Sequence, residues 1–143
     1  MPLLQADPDV IQLLEEPSKA ALGIDQIKVT PLQAAIAAAT ISSDGKKPAP
    51  VITLAVNTPT QGWVIFPRSS STAIINANNA QATADFLSID GKPFWQTTGL
   101  SFTENLPVTW FIAGTTGNWK GTPLSVVVLL EEDDPETARS IGS

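Results

Sequence analysis

Residues 107–130, PVTWFIAGTTGNWKGTPLSVVVLL, decide the fold that is predicted for this chain. The apolar and aromatic run Pro107–Gly114 predicts a strand, and the polar, glycine-rich stretch Thr116–Gly121 predicts a turn. Leu124–Leu130 is apolar on both faces, which is typical of a central strand that is covered on both sides. The stretch therefore predicts two neighbouring strands joined by a hairpin turn.

Four helices are predicted around this pair of strands. Two of them begin with a capping residue followed by proline, at Asp7 and at Thr30. The helix at Thr30 is rich in alanine and carries an apolar stripe of Leu32, Ala35, Ile36 and Ala39, and Ser42–Gly45 is predicted to end it. A third helix is predicted over Asn76–Leu87, and a last one after the acidic run Glu131–Glu136, whose charge suits the positive end of a helix dipole.

Three further strands are predicted upstream of residue 107. Val51–Val56 and Trp63–Phe66 alternate with period two around a short turn and predict a hairpin, and Phe94–Thr98 predicts another strand. The order of helices, strands and a closing helix predicts an α+β fold with an antiparallel sheet of about five strands and helices packed on it. No composition shift marks a boundary, so residues 1–143 are predicted to form a single domain.

Composition excludes several classes of function. The 143 residues include 8 Lys and Arg against 14 Asp and Glu, a net charge of -6, which argues against nucleic acid as a partner. The chain has no Cys and no His, which excludes a Ser-His-Asp triad, a cysteine nucleophile and a zinc site of His or Cys ligands. We expect no cofactor and no metal. No window has the roughly 18 apolar residues of a membrane-spanning helix, and no targeting segment is recognisable.

Two local patterns suggest binding sites, each with a simpler alternative. The carboxylates of Glu131–Glu136 could bind Ca²⁺, but their spacing fits no EF-hand, and a solvated helix entrance explains them better. Trp119 lies beside Asn118 in a predicted turn and is a candidate for stacking against a ligand ring such as a sugar. The alternative for Trp119 is that its ring caps a core.

Two segments of the chain, VTPLQAAIAAAT at residues 29–40 and the stretch from Thr98-Gly99 to Glu131, resemble parts of the transpeptidase domain of penicillin-binding proteins. Residues 29–40, VTPLQAAIAAAT, are similar to the family's helix that begins with TPLQ. Thr98-Gly99, the strand VTWFIAG at 108–114 and LSVVVLLE at 124–131 follow in the family's order before a closing helix. The resemblance implies the C-terminal half of the serine-transpeptidase/β-lactamase-like fold, and therefore a partial domain. It also implies an extracytoplasmic location in the cell envelope.

The residues that carry the family's chemistry are altered in this chain. The family needs a nucleophilic Ser with a Lys one helical turn later, a Ser-x-Asn and a Lys-Thr-Gly. The single Ser-x-x-Lys, at Ser43–Lys46, contains Gly45, which we expect to break the helix, and the chain has no Ser-x-Asn. Thr97-Thr98-Gly99 occupies the Lys-Thr-Gly position. The resemblance thus implies a degenerate substrate-binding strand, in which Gly99 keeps room for a substrate and the cation is lost, and no catalytic residue.

Three functions stay open at this point. The first is a non-catalytic transpeptidase-like domain with a structural or peptidoglycan-recognition role, whose partners are peptidoglycan or other cell-wall proteins. The second is the C-terminal portion of an active D,D-transpeptidase whose nucleophilic Ser lies upstream. The third is a generic protein-interaction module. A partial domain would expose apolar surface, so we also expect self-association.

Overall fold

The computed structural model describes residues 28–67, 69–103 and 106–143, in which one helix is followed by four strands, a second helix by three strands, and a third helix closes the chain. The three helices of this part are α1 (Pro31–Ser42), α2 (Ala77–Phe86) and α3 (Pro135–Gly142). All three were predicted, whereas the helix predicted after Asp7 lies outside the described residues. The residues from Pro31 to Ser143 form one compact unit. The prediction of a single domain over 1–143 extends beyond it and stays a prediction.

The described strands belong to three antiparallel sheets. They are β1 (Lys46–Lys47), β2 (Ala55–Thr58), β3 (Gly62–Ile65), β4 (Thr72–Ala73), β5 (Phe94–Thr103), β6 (Leu106–Thr115) and β7 (Ser125–Leu130). The main sheet has the order β5-β6-β7, while β1 pairs with β4 and β2 pairs with β3. The mixed α+β class is confirmed.

The prediction of one sheet of about five strands is wrong, because the main sheet has three. The predicted strands 51–56 and 63–66 do form a hairpin, but only residues 55–58 and 62–65 pair, from Ala55↔Ile65 to Thr58↔Gly62. Each of these two strands takes its hydrogen bonds from the other, so neither of them joins β5. An alternating pattern identifies a strand but not its partner, and the five predicted strands were therefore wrongly assigned to one sheet.

The two longest strands of the main sheet, β5 and β6, pair over their full length. β5 and β6 pair over ten residues each, from Phe94↔Thr115 to Thr103↔Leu106. β7 then pairs with β6 from Thr109↔Leu130 to Gly114↔Ser125. Among the described strands β6 is therefore the central one, although Leu124–Leu130 had been predicted as central because it is apolar on both faces.

Helices cover both faces of the sheet. On the face that we call the α1 face, Trp95 packs with Ala38 of α1 and Ala84 of α2. On the opposite face, the α3 face, Phe111 and Ala113 pack with Ala138 of α3. Alanine at the helix positions allows the helices to approach the sheet closely. Cover on both faces explains the two-sided apolar character of β7, whose Ser125 hydroxyl donates to the α1 carbonyl of Ala35 at 3.2 Å.

Capping interactions fix the start of α3. The Asp134 carboxylate accepts a hydrogen bond from the backbone N–H of Thr137 at 3.0 Å. The pKa of Asp134 is lowered by hydrogen bonds from the Thr137 side chain and backbone, because these bonds favour the ionised carboxylate. Thr109, which is fully buried in β6, donates to Glu132 O at 2.6 Å and accepts from Asp134 N at 3.1 Å. The acidic run is thus the entrance of a helix that is tied to the sheet.

The β2–β3 hairpin exposes large apolar side chains. Trp63 is 71% and Ile65 is 78% exposed. The two residues lie on the same face of β3, because side chains two positions apart in a strand share a face. None of the helices in the described ranges is long and apolar enough to span a bilayer.

We expect this hairpin to mediate self-association, because exposed apolar side chains that lie together favour contacts that remove them from water. In sedimentation velocity, the weight-average sedimentation coefficient should rise with protein concentration. The double substitution Trp63→Thr and Ile65→Thr, which keeps residues suited to a strand, should abolish that rise. Thr60→Ser at the hairpin tip is the control. A strictly monomeric profile of the unaltered chain at high concentration would contradict the prediction.

Candidate functional site

Thr97, Thr98 and Gly99, the predicted substrate-binding residues, lie in the middle of β5. They pair with Ile112, Phe111 and Trp110 of β6, in that order. Thr97 and Gly99 share the α1 face with Trp95, because residues two apart in a strand point the same way. Thr98 lies on the α3 face, directly opposite the buried Phe111. The structure therefore places the three residues against the strand that contains Trp110 and Phe111, as the sequence predicts.

The outer edge of β5 is covered only at its beginning. Ser88 forms an isolated antiparallel bridge with Trp95, and the N–H of Gln96 donates to Leu87 O at 3.2 Å. Because the N–H of Gln96 points away from β6, the backbone groups of Thr98 and Leu100 point the same way. Among the described residues, no strand pairs with this edge from Thr97 to Phe102. Within the described part of the chain, the edge therefore presents backbone N–H and C=O groups that pair with no strand.

Open space accompanies this edge. No atom of the described residues lies within 4 Å of the position where a Cβ on Gly99 would be built. The Thr97 side chain is exposed, and Leu100 is 47% exposed. A glycine inside a strand is often found where a ligand or another backbone approaches closely. We therefore name Thr97–Phe102 the β5 edge and treat it as the candidate site.

A cation reaches the middle of β5, although sequence reasoning did not find it. Arg139 of α3 donates from Nη2 to Thr98 Oγ1 at 3.4 Å. This guanidinium lies on the α3 face, whereas Thr97, the residue at which the resemblance in the sequence leads one to expect a lysine, belongs to the α1 face. Arg139 therefore does not restore the lysine on the face where Thr97 stands. Arg139 and Thr98 are 41 positions apart, and no local pattern in the sequence indicates their contact.

Comparisons with known proteins assign neither a family nor a function to this chain. No family model, no curated protein and no solved structure matches this chain. The function therefore has to be argued from the geometry of the described residues and from the motifs in the sequence.

The single Ser-x-x-Lys of the chain lies on a turn rather than on a helix. α1 ends at Ser42, and Gly45, with a φ of 78°, donates its N–H back to Thr40 O at 2.9 Å. Lys46 belongs to β1. A proton transfer between Ser43 and Lys46 would need the two side chains one helical turn apart on a helix, and the chain does not present them so.

Trp119 lies in the turn between β6 and β7, at the end of the sheet where β5 begins. Its ring is 40% exposed, and its Nε1 donates to Thr122 O at 3.0 Å. A Cβ on Gly121 would be 2.7 Å from that Nε1, so the ring folds closely over its own turn. Phe94 pairs with Thr115, the last residue of β6 before this turn, whereas Thr97 pairs with Ile112. Thr97 therefore lies about 10 Å further from the turn along the strand. The structure therefore does not bring Trp119 together with the β5 edge, and its role in stacking stays a prediction.

Proposed function

We propose that the chain is a non-catalytic transpeptidase-like domain of the bacterial cell envelope, and that its β5 edge recognises the peptide part of peptidoglycan. The observation that carries this proposal is the β5 edge at the Thr97-Thr98-Gly99 strand, with which no strand of the described residues pairs. An extended peptide can add to such an edge as a further strand, with main-chain hydrogen bonds that supply affinity. Thr98 and Leu100 present the backbone groups for these bonds.

The arrangement of the neighbouring elements supports a transpeptidase-like origin. Gly99 pairs with Trp110, and the helix that begins with TPLQ, α1, packs on the adjacent strands β6 and β7. The family's order of motifs therefore corresponds here to elements that touch one another. The finer fold that we propose is the C-terminal part of the serine-transpeptidase/β-lactamase-like fold.

The altered residues favour recognition over catalysis. Thr97 is uncharged, so at that position it cannot hold a substrate carboxylate as a lysine would. The strand keeps its glycine and its open edge, which are enough for main-chain pairing. We therefore expect weak binding that depends on the backbone of β5 and leaves the ligand unchanged.

Co-sedimentation with purified peptidoglycan tests the proposal. Leu100→Pro removes an outward N–H without removing a hydrogen bond to β6, since proline is tolerated at the open side of an edge strand. We expect this variant to bind about fivefold more weakly, which corresponds to roughly 1 kcal/mol for one main-chain hydrogen bond. Leu100→Ala removes most of the side chain but keeps the N–H, and it serves as the matched control. Circular dichroism of both variants checks that the sheet is intact.

Three outcomes would contradict the proposal. Equal binding by Leu100→Pro and Leu100→Ala would show that the β5 edge is not the binding site. No sedimentation of the unaltered chain with peptidoglycan would favour a protein-interaction module instead. Covalent labelling of a serine by a fluorescent penicillin, in the longest form of the protein that the gene encodes, would favour an active D,D-transpeptidase.

A further inference from the structure

A polar cavity of about 300 Å³ lies between three parts of the compact unit, away from the β5 edge. Ser42 and Asp44 line it from the end of α1, Gln81 and Asp85 from α2, and Asn118 from the turn between β6 and β7. This is the size at which small-molecule sites begin. None of these residues was singled out as a site by the sequence, because they are brought together only in the fold.

Hydrogen bonds within the cavity leave more acceptors than donors free. The Gln81 side chain donates from Nε2 to Asp44 Oδ1 at 3.2 Å, which uses one of its two N–H groups. The Ser42 hydroxyl already accepts from Trp95 Nε1 at 3.1 Å. Within the described residues, the second oxygen of Asp44, both oxygens of Asp85 and the amide oxygens of Gln81 and Asn118 remain as acceptors. The remaining donors are the Ser42 hydroxyl, one N–H of Gln81 and the amide N–H groups of Asn118, and none of them is charged.

The charged side chains that line the cavity are both acidic. Two carboxylates line it, and no lysine or arginine of the described residues does. Neither Asp44 nor Asp85 takes part in an ion pair within the described ranges. A positively charged ligand would therefore find two partners of opposite charge, together with acceptors suited to its hydrogen atoms.

The donor set points to an organic cation rather than to a metal ion. Within the described residues, no three acidic side chains come together as a group that could hold a metal ion. Calcium would need six to eight oxygen ligands, and a cleft with two carboxylates offers it few. A primary ammonium group, with three N–H donors, needs only the acceptors that this cavity has.

We propose that this cavity binds ligands that carry a primary ammonium group, with Asp44 and Asp85 as the charged partners. This inference rests on the cavity alone and does not depend on the transpeptidase-like assignment.

The test uses two probes of the same length and different charge, 1,5-diaminopentane and 1,5-pentanediol. In a titration of ¹⁵N-labelled protein followed by NMR, we expect the diamine to shift the side-chain amide signals of Gln81 and Asn118 and the backbone signal of Gly117. The diol should leave them in place. Because the cavity is open to solvent, we expect affinity in the millimolar range that falls as salt is added.

Two substitutions remove charge while keeping shape. Asp85→Asn and Asp44→Asn should each weaken the diamine about fivefold, the effect of one partly solvated charge pair. Asparagine tolerates the left-handed backbone of Asp44, whose φ is 53°, and its amide oxygen can still accept from Gln81. Asp90→Asn changes the net charge equally at an exposed position outside the cavity and is the matched control.

Clear results would overturn the inference. If the diol shifts the same signals as the diamine, the cavity does not select for charge. If Asp44→Asn and Asp85→Asn bind the diamine as tightly as Asp90→Asn does, the two carboxylates are not its partners. Amide spectra of each variant without ligand show directly that the fold is retained, so a lost interaction cannot be mistaken for unfolding.

Discussion

Replacing Trp95 with alanine should lower the free energy of unfolding by about 4 kcal/mol, the typical cost of removing a buried aromatic side chain. Trp95 is 1% exposed and packs against Ala38 of α1 and Ala84 of α2. Its indole N–H also donates to Ser42 Oγ. The substitution therefore leaves a cavity between the sheet and the two helices of the α1 face, α1 and α2. Neighbours as small as alanine cannot fill this cavity.

Equilibrium unfolding in urea measures this effect, and the same change at an exposed position controls for it. Trp63→Ala removes an identical side chain that is 71% exposed, and it should change the free energy of unfolding by about 0.5 kcal/mol or less. Trp95→Phe should fall between the two, because it keeps a ring but loses the hydrogen bond to Ser42. Similar losses for Trp95→Ala and Trp63→Ala would show that the α1 face is not a packed core.

Gly45→Ala should cost about 3 kcal/mol of unfolding free energy, from a strained backbone and a steric clash together. Gly45 has a φ of 78°, in the left-handed region that favours glycine. A Cβ at this position would be 2.1 Å from the backbone oxygen of Ile75. That oxygen is not the end of a flexible side chain, so relief requires the segment after β4 to move. The N–H groups of Ile74 and Ile75 donate to Gly45 O, and the movement would strain these bonds.

A second glycine separates the two causes. Gly62 has a φ of 67°, but apart from its two chain neighbours no described residue has an atom within 4 Å of where its Cβ would be. Gly62→Ala should therefore cost only the backbone strain, about 1 kcal/mol. The difference between the two variants, measured by thermal or urea unfolding, reports the clash with Ile75. Equal losses would mean that the turn at Gly45 relaxes freely and does not anchor β4.

Local signals in the sequence predicted the three described helices and the presence of the β2–β3 hairpin, although its first strand was predicted at residues 51–56 and spans Ala55–Thr58. Asn76–Leu87 was predicted as a helix, and α2 spans Ala77–Phe86 with Asn76 as its N-cap, which accepts from Asn78 N at 2.9 Å. Thr30-Pro31 marks the start of α1. The strand predicted over Phe94–Thr98 continues to Thr103, because its pairing with β6 extends beyond the part with the clearest pattern.

Sequence reasoning also identified only some of the candidate site residues. Thr97, Thr98 and Gly99 could be placed on a strand beside Trp110 from the order of motifs. The uncovered edge at Thr98 and Leu100 could not, because a sequence does not state which side of a strand stays unpaired. The contact of Arg139 with Thr98 and the cavity around Asp44 and Asp85 were also missed, since each joins residues that are far apart in the chain.

The sequence by itself determined where the described helices lie, because capping residues, proline and side-chain periodicity act over a few neighbouring residues. It indicated the main strands but not their bounds: residues 51–56 were predicted as a strand, and β2 spans Ala55–Thr58. Only the tertiary structure decided that β2 and β3 pair with each other and that the main sheet has three strands. It also joined Gln81 to Asp44 across 37 positions and Trp95 to Ser42 across 53. The sequence of a strand or of a surface polar group does not specify its partner, because the partner comes from a distant segment of the chain. Sheet membership and binding sites are therefore decided by the packing of the whole unit.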